Sequence, residues 1–332
     1  TTRAKSSGSL IMRNYLDLVR TVLNEGVEQG NRTGVHTTTL PGQMLSFDLR
    51  EGFPAVTTKR LAFTAVKGEL CGFLRGYTDA QDFRNLGCTV WDANANENPA
   101  WLANPFRQGH DDLGSIYGAQ WRKWNAYRVF PVNSKEDLAS AEAGYHRYSV
   151  PEIGHNASLS YKQIDQLRQC LETIVSNPTD RRIIMHAWNP AELDMMSLPP
   201  CHLLYQFHPN PVAKELSMSL YMRSNDLGLG APFNIAEAAL LMHLVGRLTG
   251  YTPARLAYFI GDAHVYASHL DMLVKQLERD PLPPPTLHIN ERVPAFAYTG
   301  KLEVEWLDKV EPDDFTLVGY QHHGVLTAPM AV

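Results

Sequence analysis

Leu203-Leu204-Tyr205-Gln206-Phe207-His208, Leu216-Ser217-Met218-Ser219-Leu220-Tyr221-Met222 and Ala254-Arg255-Leu256-Ala257-Tyr258-Phe259-Ile260 are three apolar, β-leaning runs. Between the second and third lies Phe233 to Leu248, where Ile235, Ala238, Leu241, Leu244 and Leu248 mark the clearest buried helix of the chain. Strands and helices mix here without regular alternation. That order predicts an α+β fold, a mixed sheet packed by helices, over a doubly wound parallel sheet.

Upstream, Leu10-Ile11-Met12, Leu16, Val19, Val22 and Leu23 predict a helix ending at Asn24-Glu25-Gly26. Residues 32–39 and 43–49 read as a strand pair separated by Pro41-Gly42. Helical spacing returns from Ala65 to Arg75, with Glu69 inside it and Gly76 at the stop, and again at Ile164, Leu167, Leu171 and Ile174. The polar, irregular stretch from Ser134 to Ser158 reads as a surface insertion rather than a linker, because its flanks lack the self-contained patterns of separate domains. Residues 1–9 read as a flexible leader and 10–332 as one large domain, with the insertion spanning about 126–160.

The 332 residues are 44% hydrophobic and 20% charged, which excludes disordered and fibrous classes. Thirty Lys plus Arg against 35 Asp plus Glu leave a net charge of −5, so a primary nucleic-acid partner is not expected and any anionic partner must be met by a local cluster. Cys71, Cys88, Cys170 and Cys201 form no CxxC pair, which speaks against a metal site and a disulfide framework. No apolar run approaches the ~20 residues that span a bilayer. A cytoplasmic protein is expected.

In Leu198-Pro199-Pro200-Cys201-His202 two prolines restrict the backbone ahead of a thiol. Cys201 is therefore either a rigidly held nucleophile or a buried structural cysteine; the first role needs a nearby cation, for which Arg223 and Arg181-Arg182 are available. Glu69, three residues after Val66 and four before Phe73, falls on the apolar face of its helix, where a carboxyl either has a raised pKa or snorkels to water. Thr179-Asp180-Arg181-Arg182 and Arg223-Ser224-Asn225-Asp226 suit a phosphate, or a solvated surface. His264 and Tyr266 share a strand face and either grip a hydroxyl or serve the core. Gly228-Leu229-Gly230-Ala231-Pro232-Phe233-Asn234 is a helix start without P-loop or dinucleotide-fold spacing. Its Asn234 is a simple cap or reads the polar edge of a planar base.

Taken together these motifs resemble thymidylate synthase from Tyr15 to Val332. The matching stretches are Asn31-Arg32-Thr33-Gly34, Gly52-Phe53-Pro54, Thr57-Thr58-Lys59-Arg60, Thr89-Val90-Trp91-Asp92, Tyr117-Gly118 and Asp180-Arg181-Arg182. They continue in order with Pro200-Cys201-His202, Arg223-Ser224, Pro232-Phe233-Asn234, Gly261-Asp262-Ala263-His264-Val265-Tyr266 and Ala328-Pro329-Met330-Ala331-Val332.

The resemblance implies reductive methylation of dUMP to dTMP by a methyltransferase that uses 5,10-methylenetetrahydrofolate and no metal. Cys201 would add to uracil carbon 6, and Glu69, Tyr117, His202, Asn189 and Asp226 would complete the catalytic set. Arg32, Arg223 and Ser224 would hold the phosphate, with Arg181 and Arg182 reaching in from the partner of a homodimer formed through a sheet face. Asn234 would read the uracil edge, and His264 and Tyr266 would bind the sugar. Trp91, Asp226, Leu229, Gly230 and Phe233 would line the folate site, Lys59 would meet its glutamate tail and Val332 would close over it.

The chain departs from the better-known short members at Asn94, where many carry a folate-facing Trp, at Asn225, where many carry Cys, and at Gly228, where many carry Phe. Residues 126–160 are a further difference. Two rival readings keep the same fold: a dUMP hydroxymethylase, and a catalytically silent RNA-binding homologue. Asn234 argues against a cytosine substrate.

Overall fold

In the computed structural model, which describes residues 11–31, 33–148 and 156–330, the three apolar runs are neighbouring strands of one six-stranded sheet. The strands are β1 (Val27–Gln29), β2 (Thr37–Asp48), β3 (Trp124–Pro131), β4 (His146–Tyr148), β5 (Ala157–Ile164) and β6 (Ile184–His186). They continue with β7 (His202–Asn210), β8 (Glu215–Asp226), β9 (Thr252–Tyr266), β10 (Thr286–Ile289) and β11 (Phe315–Val318). The main sheet runs β1-β2-β9-β8-β7-β6, antiparallel everywhere except between β8 and β9. It is the mixed sheet expected from the irregular alternation.

A parallel pair cannot be joined by a tight turn. The crossover from β8 to β9 is the helix Gly230–Thr249, whose Ile235, Ala238, Leu241, Leu244 and Leu248 are all buried. It packs on the helix Phe63–Leu74, and the short helix Tyr117–Lys123 packs on that in turn. Arg13–Glu25 buries Tyr15, Leu16, Val19 and Val22 against β2. All these contacts join one hydrophobic core.

Two expectations are corrected. Pro41-Gly42 is no hairpin turn: β2 is one strand from Thr37 to Asp48, antiparallel to β9 on both sides of the proline. Gly42, at φ +73°, faces Gly261 in a gap in that ladder, and β1 reaches only to Thr39, so Pro41 lies where β2 has a single neighbour to bond. The described residues of the stretch from Ser134 are polar but largely regular. With its flanks it forms a three-stranded sheet, β3-β5-β4, and a helix Lys135–Glu142 whose Asp137 is buried and held by Ser158 and Arg147. Polar groups there satisfy one another, and among the described residues of this layer no apolar side chain is fully buried. The leader 1–9, Arg32, residues 149–155 and Val332 lie outside the described residues.

One face of the main sheet stays open. Met44, Phe259 and Tyr221 are cross-strand partners on β2, β9 and β8, so they share that face, and all three are exposed. Among the described residues no helix is long and apolar enough to cross a membrane.

Gly118 sets how closely the Tyr117–Lys123 helix approaches Phe63–Leu74, since a Cβ there would stand 2.6 Å from the Phe73 carbonyl oxygen. Gly118→Ala must push the two helices apart and should cost about 1–3 kcal/mol. Urea unfolding measures it, and an unchanged midpoint would show that the contact yields freely.

Candidate active site

Cys201 ends the Pro199-Pro200 turn at the start of β7. Arg223 on β8 clamps that turn: its Nη2 and Nε donate to the Pro199 and Pro200 carbonyls at 2.9 and 2.7 Å, and Nη2 also reaches Cys201 Sγ at 3.6 Å. The guanidinium lies over the Trp188 ring, 5.7 Å from its centre. The Cys201 N–H donates to the Tyr117 hydroxyl at 2.6 Å, and Tyr117 stacks on His202 with ring centres 4.1 Å apart. Of the two cations the sequence offered, Arg223 is the one beside the sulfur. Cys201 is partly exposed, whereas Cys71, Cys88 and Cys170 are buried, and burial pushes the Cys71 and Cys170 thiols up to about 12.

The sulfur stands where two chambers meet. One, about 660 Å³, has a polar wall that includes Arg223, Ser224, His264 and Tyr266. The other, about 310 Å³, is walled by Trp91, Leu229, Phe233 and Met330, with Glu69, Tyr117, His202, Asn94 and Asn234 also lining it. Cys201, Asp226 and Tyr266 line both. The first suits a charged, hydroxylated ligand and the second a planar apolar one.

Glu69 is 4% exposed and receives Trp91 Nε1 at 2.8 Å. Burial raises its pKa, against the pull of hydrogen bonds from Glu237 and Trp91. The apolar-face reading of Glu69 therefore holds over the snorkelling one. Burial holds His202 neutral, with a pKa near 3. Glu237, 2% exposed, was missed from sequence. The signal available was a lone carboxyl within the apolar Phe233–Leu248 pattern.

At the N-terminus of the Gly230–Thr249 helix, the Asp226 carboxylate accepts from the N–H groups of Gly228, Leu229 and Gly230. Burial would raise its pKa, but these donors and His269, 3.2 Å away, hold it below the usual range. Asn234 is not the cap; it lies one turn in, where Oδ1 accepts from Asn225 Nδ2 at 3.2 Å, and Asn225 Oδ1 accepts from Tyr258 at 2.9 Å.

Other expected residues lie apart. Lys59 is buried, donates to the Gly228 carbonyl and is lowered by burial to about 8; it lines neither chamber. Asn189 lines neither chamber; its amide donates to Gln120 at 3.1 Å and accepts from the Ala191 N–H. Arg181 and Arg182 are exposed just before β6, with Arg182 paired to Asp180, and line neither chamber of their own chain. Arg32 and Val332 lie outside the described residues, although Met330 brings the C-terminal segment to the smaller chamber. No group of three His, Cys, Asp or Glu among the described residues is placed to hold a metal.

A cation-flanked thiol between a polar and an aromatic chamber, with buried carboxyls behind it, is the layout of a group-transfer enzyme that works through covalent catalysis. A family model described as thymidylate synthase matches residues 13–332. The chain is 61% identical to thymidylate synthase of Pseudomonas putida over 323 residues, 97% of this chain and 100% of that one. It is 59% identical to the Bordetella parapertussis enzyme, over 97% and 100% of the two chains, and 38% identical to the human enzyme, over 96% and 90%. The chain belongs to the thymidylate synthase family, and it is a methyltransferase.

Alkylation of the native protein with iodoacetamide at neutral pH should label one thiol, Cys201, because the other three are buried. Arg223→Met should slow that labelling several-fold by removing the guanidinium donor. Peptide mass mapping reads both, and equal labelling of Cys88 would contradict the assignment.

Proposed function

We propose that the chain methylates dUMP to dTMP through addition of Cys201 to uracil carbon 6. The observation that carries this reading is the placement of the Cys201 sulfur at the junction of the two chambers, 3.6 Å from a guanidinium nitrogen. In it, Arg223, Ser224 and Arg32 hold the phosphate in the polar chamber, His264 and Tyr266 hold the sugar, and the base extends past the sulfur toward Asn234. Because Asn225 already donates to Asn234 Oδ1, the Asn234 Nδ2 is left to donate to a uracil carbonyl, while Oδ1 keeps a lone pair for the ring N–H.

Addition at carbon 6 makes the ring an enolate, and a proton must later leave carbon 5. Glu69 is the carboxyl that can handle it, with Tyr117 and neutral His202 as neutral relays. Trp91, Leu229, Gly230 and Phe233 fit the planar ring of the folate co-substrate, whose 5,10-methylene form supplies the carbon and the hydride. Asp226 supports this wall through the backbone it holds. Lys59 reaches the glutamate tail only after leaving the Gly228 carbonyl, and Val332 closes over the folate. Asn189 supports the site through Gln120 rather than at the ring. A hydroxymethylase or a silent RNA-binding homologue is not favoured, because relatives that cover 97% of the chain are named thymidylate synthases.

The exposed Met44, Phe259 and Tyr221 row is the face on which a second copy packs, which brings Arg181 and Arg182 of each protomer to the other's phosphate. This reading places the protein in the cytoplasm, with residues 126–160 as a surface addition to the catalytic domain that begins near residue 10.

Incubation with 5-fluoro-dUMP and methylenetetrahydrofolate should give a stable mass increase on Cys201, and substrate turnover should give dTMP and dihydrofolate. Hydroxymethyl product, or no adduct, would overturn the reading. Cys201→Ser should abolish turnover but hold dUMP binding within about tenfold. Mixing inactive Cys201→Ser with inactive Arg181→Glu/Arg182→Glu protein should restore about a quarter of wild-type activity, since reassortment of a two-fold dimer gives each mixed dimer one intact site. No recovery after subunit exchange would remove the two arginines from the partner's site.

A further inference from the structure

Glu237 is a carboxyl within the long buried helix Gly230–Thr249, and the mechanism above makes no use of it. It lies three residues after Asn234 and four after Phe233, so helical geometry turns it to the face that those two present to the smaller chamber. There it comes against Glu69 from the Phe63–Leu74 helix, close enough for the two carboxyls to share a proton. On its other side, Glu237 Oε2 is 3.8 Å from His202 Nε2, while Oε1 has no other donor among the described residues.

Two carboxylates are acceptors only, so a hydrogen bond between them requires a proton on one. The titratable groups within electrostatic reach of Glu237 are the Glu69 carboxyl, the His202 imidazole, the Tyr205 and Tyr258 phenols and the Cys88 thiol. None of these is cationic at neutral pH, because burial holds His202 uncharged. An ionised Glu237 would be a buried charge without a counter-ion, next to a second carboxyl. Of the pair, Glu69 is the member with an additional donor, the Trp91 indole, so negative charge is better placed on Glu69 and the proton on Glu237.

We propose that Glu237 is a positioning residue, a buried carboxylic acid that donates its proton to Glu69 and holds that carboxylate in place for proton transfer at the base. The proposal rests on the reading that Glu69 handles the carbon 5 proton. Its consequence has a definite sign. A donor to the Glu69 carboxylate favours the ionised form, and burial of both groups, which raises their pKa values, opposes it.

The test follows tritium release from 5-tritiated dUMP against pH, taking the limb that Glu69→Gln abolishes. Glu237→Gln keeps a neutral donor and should leave that limb within about 0.3 pH units of its place. Glu237→Leu removes the donor and should move it at least about one unit to alkaline pH. A limb that stays put in the Leu variant, or an acid shift of a unit in the Gln variant, which would reveal a lost negative charge, overturns the proposal. Infrared spectroscopy of the resting protein keeps it decidable if the Leu variant fails to fold. The carbonyl band of a protonated carboxylic acid should be present at neutral pH and vanish in Glu237→Gln; its absence from wild type overturns the proposal. If wild type releases no tritium at all, the functional reading fails separately, since the infrared band does not depend on turnover.

Discussion

The parallel pairing of β8 with β9 is the constraint from which the site follows. Chain leaving the end of β8 must return to the start of β9, and the crossover helix Gly230–Thr249 does this through the interior. Asp226 at the end of β8 and the first N–H groups of the helix are thereby brought together, so the carboxylate ties the strand end to the helix start. Arg223 and Ser224 precede that junction on β8 and Asn234 follows it on the helix. His264 and Tyr266 reach it from β9. In the ladder His264 is opposite Asp226, so one register aligns side chains of two separate sequence motifs.

The second ordering element is β7, antiparallel to β8 on its other side. Cys201 immediately precedes it and His202 is its first residue, and Arg223 grips the preceding prolines from the neighbouring strand. The thiol's position therefore depends on strand pairing as well as on proline stiffness. Tyr117 fixes the opposite side by accepting from the Cys201 N–H, and Gly118 permits the close helix approach that brings the tyrosine there.

Much of this was legible in the sequence where one residue's own periodicity decided its place. The buried Phe233–Leu248 helix, the three central strands and Glu69 on an apolar face are examples, because period and burial are local signals. Pro41-Gly42 shows where local reading fails: the dipeptide carries a turn signature, yet a long partner strand overrides it. The Ser134–Ser158 stretch misleads for the opposite reason, since its order comes from polar pairs such as Asp137 with Ser158 that no hydrophobic pattern announces. In the site, the chemistry-bearing types Cys201, Arg223 and Asn234 could be named from sequence. Which arginine meets the thiol, and that Asn189 is spent on Gln120, depend on contacts across long sequence separation.

Two of the residues at which this chain departs from the short members of its family, Gly228 and Asn225, are accounted for by their neighbours. A Cβ at Gly228 would fall 2.4 Å from His269 Nδ1, so the glycine makes room for the ring that pairs with Asp226. Through its other nitrogen His269 meets the Pro329 carbonyl at 2.8 Å, which couples the Asp226 turn to the C-terminal segment at the smaller chamber. Asn225 supplies both a donor for Asn234 and an acceptor for Tyr258, fixing by hydrogen bonds the orientation of the amide that lines the smaller chamber. The absence of a side chain at 228 and the polar one at 225 thus have a common effect: each allows a directed contact to a residue that lines a chamber, His269 to Asp226 in one case and Asn225 to Asn234 in the other.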